Sequence, residues 1–348
     1  MDLGRREDWG APLMAERQER INLFLEMEGW GNARRNLLTS DASFRRYTRL
    51  EDKNRRAILM DAPPPEEIGP FLSMANHLGR LGYSAPEIFA VNNKYGFILL
   101  EDFGDLTFTR LLAAGEQERE LYLLATDVLI DLHKHPGAQA IPQKQVSYSL
   151  DLLLAEAALL TDWFVPAATG SLLSAEAIKE YQEHWRSLIF LPVNIPESLV
   201  LRDYHVDNLM RLNDRTGIAA CGLLDFQDAV EGPVTYDLVS LIQDARRDVS
   251  PSIAKEVKER YLAAFPDLDP IQFELSMAVL GAQRHAKVIG IFTRLCVRDN
   301  KPIYLNHIPR VWCLLEAACD HPDLEIMRQW FNFYIPTELR QLPEGFGA

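Results

Sequence analysis

The pattern of apolar and polar positions changes character once along the chain, from strand-like runs to helical spacing. Short runs typical of β-strands occur at 37–39, 46–50, 56–60, 86–91 and 96–101, with turn residues at 40–43 and 53–54. One helix is expected at about 66–81, after prolines that end the third strand. The pattern predicts a small lobe of five antiparallel strands with one inserted helix, preceded by a short amphipathic helix at 15–28.

Beyond residue 102 the apolar residues recur at helical spacing. Leu121, Leu124, Val128 and Leu132 share one face of a helix predicted at 118–135. Similar patterns recur at 150–163, 174–188, 236–246, 252–264, 271–298 and 308–319, interrupted by a polar loop at 200–210 and a strand at 218–224. We therefore predict an α+β protein with domains at 1–102 and 103–348.

Composition and charge exclude several classes of protein. The chain has 348 residues, of which 47% are hydrophobic, so a sizeable core is expected and disorder is disfavoured. Its 36 Lys and Arg against 50 Asp and Glu give a net charge of −14, which disfavours a nucleic-acid partner. No apolar run is long enough for a membrane span, and the first residues lack the apolar core of a signal peptide. We expect a cytoplasmic protein without a membrane partner and leave its oligomeric state open.

The polar loop and the strand that follows it carry the most informative side chains. Phosphoryl transfer needs a carboxylate to orient the acceptor hydroxyl and oxygen ligands to hold Mg²⁺ against the phosphates. Asp203, Asn208 five positions later and Asp225 at a strand end supply this set of groups. Alone, either segment could be a chance match or an ordinary turn, but their order and spacing favour the catalytic interpretation.

The segments R-D-Y-H-V-D-N at 202–208 and L-L-D-F-Q-D at 223–228 resemble the catalytic and metal loops of aminoglycoside phosphotransferases and choline kinases. The resemblance implies a protein-kinase-like bilobal fold that uses ATP and Mg²⁺. It implies that Asp203 is the catalytic base and that Asn208 and Asp225 are metal ligands. One departure is Leu201, which stands where these families usually have a histidine that supports the loop.

A narrower resemblance covers residues from about 25 to 312. The motifs S-D-A-S-F-R-R-Y at 40–47, L-M-D-A-P-P-P at 59–65, D-F-Q-D-A-V at 225–230 and Q-R-H-A-K-V-I-G at 283–290 occur together here. This combination is similar to that of the bacterial anomeric sugar kinases, which phosphorylate N-acetylmuramate and N-acetylglucosamine at the C1 hydroxyl in cell-wall recycling. The resemblance implies a small amino-sugar substrate.

Two segments are candidates to bind the nucleotide. Neither a P-loop nor a Rossmann motif is present. The turn between the first two strands contains Ser40, Ala42 and Ser43, whose small side chains let the backbone approach phosphates closely. An ordinary hairpin turn would have a similar composition. By resemblance, Glu101 and Phe103 form the hinge whose backbone reads adenine.

The third strand lacks the lysine with which protein kinases bind the α- and β-phosphates, because Met60 occupies the aligned position. Residues 31–60 nevertheless hold eight Lys and Arg against three Asp and Glu. Arg45 and Arg46 adjoin the phosphate-covering turn, and we expect one of them to replace the lysine. The alternative is that both are solvated strand residues.

The acceptor site is expected in the helical part of the chain. Residues 281–310 carry six Lys and Arg and one acid, and Arg284 and Lys287 share a helix face that suits an anionic or hydroxyl-rich ligand. Glu156 and Asp162 on another helix, together with His205, complete the candidate set. A solvated basic face that pairs with surface acids would give the same pattern.

Two other functions fit the same residues. The first is a kinase-like enzyme that phosphorylates another small alcohol, such as an aminoglycoside, choline or homoserine. The second is a pseudokinase that binds a nucleotide without catalysis, which the missing third-strand lysine favours and the complete set of Asp203, Asn208 and Asp225 disfavours.

Overall fold

The computed structural model describes residues 11–38, 44–143, 145–342 and 346, with the backbone alone for 11–14. The strands are β1 (Arg34–Leu38), β2 (Arg46–Asp52), β3 (Arg55–Asp61), β4 (Ile88–Asn92), β5 (Phe97–Leu100), β6 (Glu197–Val200), β7 (Leu209–Arg211), β8 (Cys221–Leu223) and β9 (Val230–Pro233). The helices are α1 (Ala11–Met27), α2 (Gly69–Arg80), α3 (Phe108–Ala113), α4 (Glu118–Lys134), α5 (Gly137–Ala140), α6 (Leu150–Leu159), α7 (Val165–Thr169), α8 (Ala175–Ile189), α9 (Thr235–Ile242), α10 (Pro251–Ala264), α11 (Pro270–Asp299), α12 (Ile308–Cys319) and α13 (Glu325–Tyr334).

The first five strands form one antiparallel sheet in the order β1-β2-β3-β5-β4, with α2 inserted after β3. This confirms the predicted sheet and its single inserted helix. Side chains alternate between the two faces of a strand, so Leu50, Leu59 and Phe97 point to one face. Phe24 and Leu25 of α1 pack against that face, which makes α1 the cover of the sheet.

An ion pair fixes α1 on the sheet. Arg17 Nε donates to Asp61 Oδ1 at 2.8 Å, and the guanidinium also donates to the carbonyl oxygen of Tyr95 and lies over the ring of Phe97. Asp61 is buried, so an uncompensated carboxylate there would be costly and the pair satisfies it.

The chain forms two compact units, and the first is not continuous in sequence. It comprises Met1–Arg110 with Met210–Asp228, and the second comprises Leu111–Leu209 with Ala229–Ala348. We predicted domains of 1–102 and 103–348, a division that leaves 210–228 in the second domain. Packing assigns this segment to the first unit, because Phe226 stacks on Phe71 and the amide of Leu223 donates to the carbonyl oxygen of Ser84 at 2.8 Å.

The second unit is built around α11, in which 20 of the 30 residues are buried. Its predicted bounds of 271–298 agree with the observed helix to within one residue at each end. The approach of α11 to α6 is very close at Gly290, where a Cβ atom would lie 2.3 Å from the backbone of Leu159. Glycine is therefore required at this crossing.

The helix predicted at 150–163 contains a π-helical turn, Leu160–Phe164, and continues into α7. Leu150–Thr169 is one helical stretch long and apolar enough to cross a membrane by length and composition. Ala157, Leu160 and Phe164 are fully buried in the core of the second unit, as in the core helix of a globular protein. The stretch is weak evidence for a membrane span.

Candidate active site

The loop that follows β6 carries Asp203 and is closed by its own backbone. The amide of Asp203 donates to the carbonyl oxygen of Leu201 at 2.9 Å, and the amide of His205 donates to that of Asp203 at 3.1 Å. Asn208 lies in the 3₁₀ turn Val206–Asn208, and its Nδ2 donates to the carbonyl oxygen of Asp203 at 3.0 Å. The hydroxyl of Tyr204 fixes the loop to α4 by donating to the carbonyl oxygen of Ala125 at 2.8 Å.

Asp237 of α9 supports the same loop from beneath. Its two carboxylate oxygens accept from the amides of Leu201 and Arg202, at 2.6 and 2.9 Å. Burial raises the pKa of Asp237 to about 7, against the lowering effect of these two hydrogen bonds. Leu201, the residue in place of the usual histidine, is itself buried, so apolar packing and Asp237 together support the loop.

The surroundings of Asp203 keep its carboxylate ionised. Burial acts to raise the pKa of Asp203, but neighbouring positive charges, foremost Lys287 and then including Arg284 and Arg202, hold the pKa below its usual value. The carboxylate is therefore charged at neutral pH and can accept a proton from a hydroxyl placed beside it.

His205 is buried beside Asn208. Its Nε2 lies 3.5 Å from Asn208 Nδ2 and 3.4 Å from Arg246 Nη1, while its Nδ1 lies 3.9 Å from Asp207 Oδ2. Burial lowers the pKa of His205, so the ring is neutral at neutral pH. Since both neighbours of Nε2 are donors, Nε2 is the acceptor and the ring proton is on Nδ1. Of the two side-chain polar atoms of Asn208, only the amide oxygen Oδ1 has the chemistry of a cation ligand.

Glu156 and Lys287 form an ion pair at the centre of a buried cluster. Lys287 Nζ lies 2.8 Å from Glu156 Oε1, and Arg202 pairs with the same oxygen. Tyr148 donates its hydroxyl to Glu156 Oε2 at 2.5 Å, and Gln283 Nε2 lies 3.4 Å from that oxygen. The sequence pointed to Glu156 and Lys287, whereas Arg202 and Tyr148 were not predicted as site residues.

Arg284 is a buried cation without an ion pair among the described residues. Its Nη2 donates to Ser240 Oγ at 2.8 Å, and its Nη1 has no hydrogen-bond partner there. Asp162 is exposed on the π-helical turn, and none of the contacts in the described part of the chain joins it to Glu156 or Lys287. Arg284 is thus a member of the predicted acceptor set with an unused buried donor.

Asp225 belongs to the first unit and adopts a left-handed backbone conformation with φ of 58°. Its Oδ1 accepts from Gln227 Nε2 at 2.8 Å. Tyr47 of β2 is close enough that Asp225 contributes to the raised pKa of its phenol, after burial as the main cause and against the opposing effect of Arg45. The Asp225 carboxylate is a hard oxygen donor of the kind that magnesium prefers, and so is the amide oxygen of Asn208 in the second unit.

Strand register distinguishes the two candidate arginines. Residues directly opposite each other on paired strands present side chains on the same face, so Tyr47 and Met60 share one face and Arg46 and Asp61 the other, which α1 covers. Arg46 is exposed on that α1 face. Arg45 is buried, lies 3.0 Å from Glu66 Oε2, and interacts with the phenol of Tyr47.

The segment after β5 has backbone groups available for a ligand. The Glu101 amide donates to the carbonyl oxygen of Glu87 at 2.9 Å, while the Glu101 carbonyl oxygen and the Phe103 amide have no hydrogen-bond partner among the described residues. The Glu101 carboxylate pairs with Arg215, whose guanidinium lies over the Phe103 ring at 5.3 Å. Ser40, Ala42 and Ser43, the predicted phosphate-covering residues, lie outside the described residues.

The protein has a five-stranded antiparallel sheet with one inserted helix, a helical unit, and a loop that holds an ionised Asp. These features define a protein-kinase-like phosphotransferase. The chain belongs to the phosphotransferase enzyme family, whose model matches residues 35–273. It is 34% identical to an N-acetylmuramate/N-acetylglucosamine kinase of Caulobacter vibrioides, over 94% of this chain and 99% of that protein. It is 37% identical to the Pseudomonas aeruginosa protein of the same name, over 84% of this chain and 86% of that one.

A solved structure shows the same fold. The ADP-bound aminoglycoside phosphotransferase APH(2'')-Ib superposes with a TM-score of 0.57 at 18% identity, over 88% of this chain and 98% of that one. The predicted protein-kinase-like fold class and the predicted family are therefore confirmed.

The raised pKa of Asp237 generates a prediction on stability. The folded state retains the proton of Asp237 up to about pH 7, whereas a carboxyl in the unfolded chain loses it near its ordinary value of 3.8. The contribution of Asp237 to stability is therefore lost as pH rises through this window, by about 4 kcal/mol.

The free-energy advantage of the wild type over Asp237→Asn should accordingly shrink between pH 4 and pH 7. Urea unfolding of both proteins across this range measures it, with the exposed Asp267→Asn as control. A difference that does not change with pH would contradict the assignment.

Proposed function

We propose that this protein is an ATP- and Mg²⁺-dependent cytoplasmic kinase of peptidoglycan recycling. It transfers the γ-phosphoryl group to a sugar hydroxyl, the anomeric C1 hydroxyl of N-acetylmuramate, N-acetylglucosamine or both. The single observation that carries the proposal is the ionised, backbone-fixed Asp203 in a chain similar over 94% of its length to a kinase named for these two sugars.

In the proposed reaction Asp203 accepts a hydrogen bond from the acceptor hydroxyl and takes its proton as the bond to phosphorus forms. Asn208, through its Oδ1, and Asp225 are the residues that would hold magnesium. The metal, when bound, would neutralise charge on the transferring phosphoryl group. No covalent intermediate on the protein is needed, since the hydroxyl attacks phosphorus directly.

For the nucleotide, we assign adenine recognition to the carbonyl oxygen of Glu101 and the amide of Phe103. We assign the α- and β-phosphates to Arg45, because it is buried near Tyr47 and interacts with Glu66, whereas Arg46 lies on the face that α1 covers. Ser40, Ala42 and Ser43 remain our candidates for covering the phosphates.

For the acceptor, the unused Nη1 of Arg284 supports an anionic group as its partner. The lactyl carboxylate of N-acetylmuramate has this chemistry, and a buried guanidinium gains most from a carboxylate that can bind in a bidentate manner. We place His205 and Asp162 near the same acceptor, and we treat Glu156 and Lys287, which pair with each other, separately below.

The proposal predicts the outcome of an acceptor screen. ATP consumption should depend on Mg²⁺ and on N-acetylmuramate or N-acetylglucosamine, but not on an aminoglycoside, choline or homoserine. Asp203→Asn should lower kcat by at least about 10²-fold, because proton acceptance is lost, while ATP still binds. Asp225→Asn should weaken Mg²⁺-dependent nucleotide binding as well.

Turnover with choline or an aminoglycoside alone would show that the substrate is that alcohol and not an amino sugar. ATP binding without turnover on any acceptor would instead favour the pseudokinase. Near-normal kcat in Asp203→Asn would overturn the mechanism.

The two arginines give a matched pair of variants. Arg45→Gln should raise the KM for ATP about tenfold or more, because a charge-assisted contact with phosphate is lost. Arg46→Gln removes the same charge from the adjacent position and should leave the KM unchanged. Steady-state kinetics with varied ATP measures both, and equal effects of the two changes would contradict the assignment of Arg45.

A further inference from the structure

Both carboxylate oxygens of Glu156 have partners within the second unit. Its Oε1 pairs with Lys287 and Arg202, and its Oε2 accepts from Tyr148 and lies near Gln283. Burial acts to raise the pKa of Glu156, but Lys287 and Arg202 hold the pKa below its usual value. A buried, ionised carboxylate with four neighbours has little capacity left for a ligand and is instead suited to holding those neighbours in place.

One of those neighbours has an unusual backbone. Arg202 has a φ of 68°, in the left-handed region. Residues other than glycine rarely adopt this region, because their Cβ atom approaches the following carbonyl oxygen. Arg202 directly precedes Asp203, so its backbone conformation sets the direction in which the loop presents the carboxylate. The Asp237 carboxylate accepts from the amide of Arg202, and the Glu156 carboxylate pairs with its guanidinium.

The other neighbour acts on Asp203 by charge. Lys287 is the foremost of the cations that lower the pKa of Asp203, and Glu156 holds its ammonium group at 2.8 Å. The position of Lys287 relative to Glu156 is fixed by the helices that carry them, since Gly290 brings α11 against the backbone of Leu159 at the end of α6. Glu156 thus contacts one residue that orients Asp203 and one whose charge acts on Asp203.

We propose that Glu156 is a positioning residue for catalysis: it holds Arg202 in its left-handed conformation and Lys287 beside Asp203, without itself touching the substrate. This inference rests on the proposed function, because it concerns the residue assigned there as the base. It differs from the sequence-based expectation, in which Glu156 binds the acceptor.

The test compares Glu156→Gln with Glu183→Gln, a surface change that removes an exposed i,i+4 pair with Lys179 in the same unit. Glu156→Gln should lower kcat by about 10²-fold, since a displaced base loses its approach to the hydroxyl. The KM for the sugar and for ATP should not change, because Glu156 contacts neither. Glu183→Gln should leave both constants at their wild-type values. A raised KM for the sugar with unchanged kcat would overturn the inference and restore Glu156 to the acceptor site.

A second pair of variants isolates the backbone of residue 202. Arg202→Gly and Arg202→Ala both remove the ion pair, but glycine adopts a positive φ without support. Arg202→Gly should therefore retain at least about tenfold more kcat than Arg202→Ala. Adding Arg202→Gly to Glu156→Gln should recover kcat by a similar factor. Equal activity of the glycine and alanine variants would overturn the inference, even if Glu156→Gln fails to fold.

A readout independent of activity separates this inference from the proposed function. Hydrogen exchange of the Leu201 and Arg202 amides should become about tenfold faster in Glu156→Gln and stay unchanged in Glu183→Gln. Unchanged exchange would overturn the positioning role whatever the enzyme does. Faster exchange in a protein that phosphorylates no sugar would support the positioning role and reject the proposed function.

Discussion

The second unit depends on one constraint, which is that a carboxylate must stay ionised in a partly buried loop. Burial acts to raise the pKa of Asp203, so positive charge must lie close to the carboxylate to keep it ionised. Three cations and three acids meet around the loop: Arg202, Arg284 and Lys287 with Glu156, Asp203 and Asp237. Such a cluster is stable only when its members satisfy one another, which explains why the loop is bonded to Glu156 of α6 and to Asp237 of α9.

The net charge of −14 is not evenly distributed along the chain. Under the proposed function, an acidic protein that binds ATP must place its positive charge locally. The excess of Lys and Arg in 281–310 includes Arg284 and Lys287, both buried near Asp203, and so is not simply a solvated basic face. In 31–60 the picture is mixed, because Arg45 is buried whereas Arg46 is exposed.

Much of the fold could be predicted because its elements have strong local patterns. The five strands, α2 and the long α11 follow from periodicity, and the motifs identified the family. The assignment of 210–228 to the first unit could not be predicted, because it depends on packing such as that of Phe226 on Phe71. The helix α13 was also missed, and its buried Met327, Trp330 and Phe331 complete a core formed by distant elements.

Within the site, the sequence indicated which residue types matter but not how they pair. Arg45 and Arg46 are adjacent and chemically identical, so only the folded structure distinguishes them, through the burial of Arg45 and the strand register of Arg46. Glu156 and Lys287 both suit a sugar site, but the structure joins them in one ion pair. Their partner Arg202 belongs to the recognised motif, but its left-handed backbone is visible only in three dimensions.

The central claim is that Asp203 activates an anomeric hydroxyl for phosphoryl transfer from ATP. The most direct test is a phosphorus–proton NMR correlation of the product formed from N-acetylmuramate, ATP and Mg²⁺. We expect one new phosphorus resonance coupled to the anomeric proton, with loss of the reducing end. A phosphorus coupled to any other sugar proton, or no sugar phosphate at all, would contradict the account.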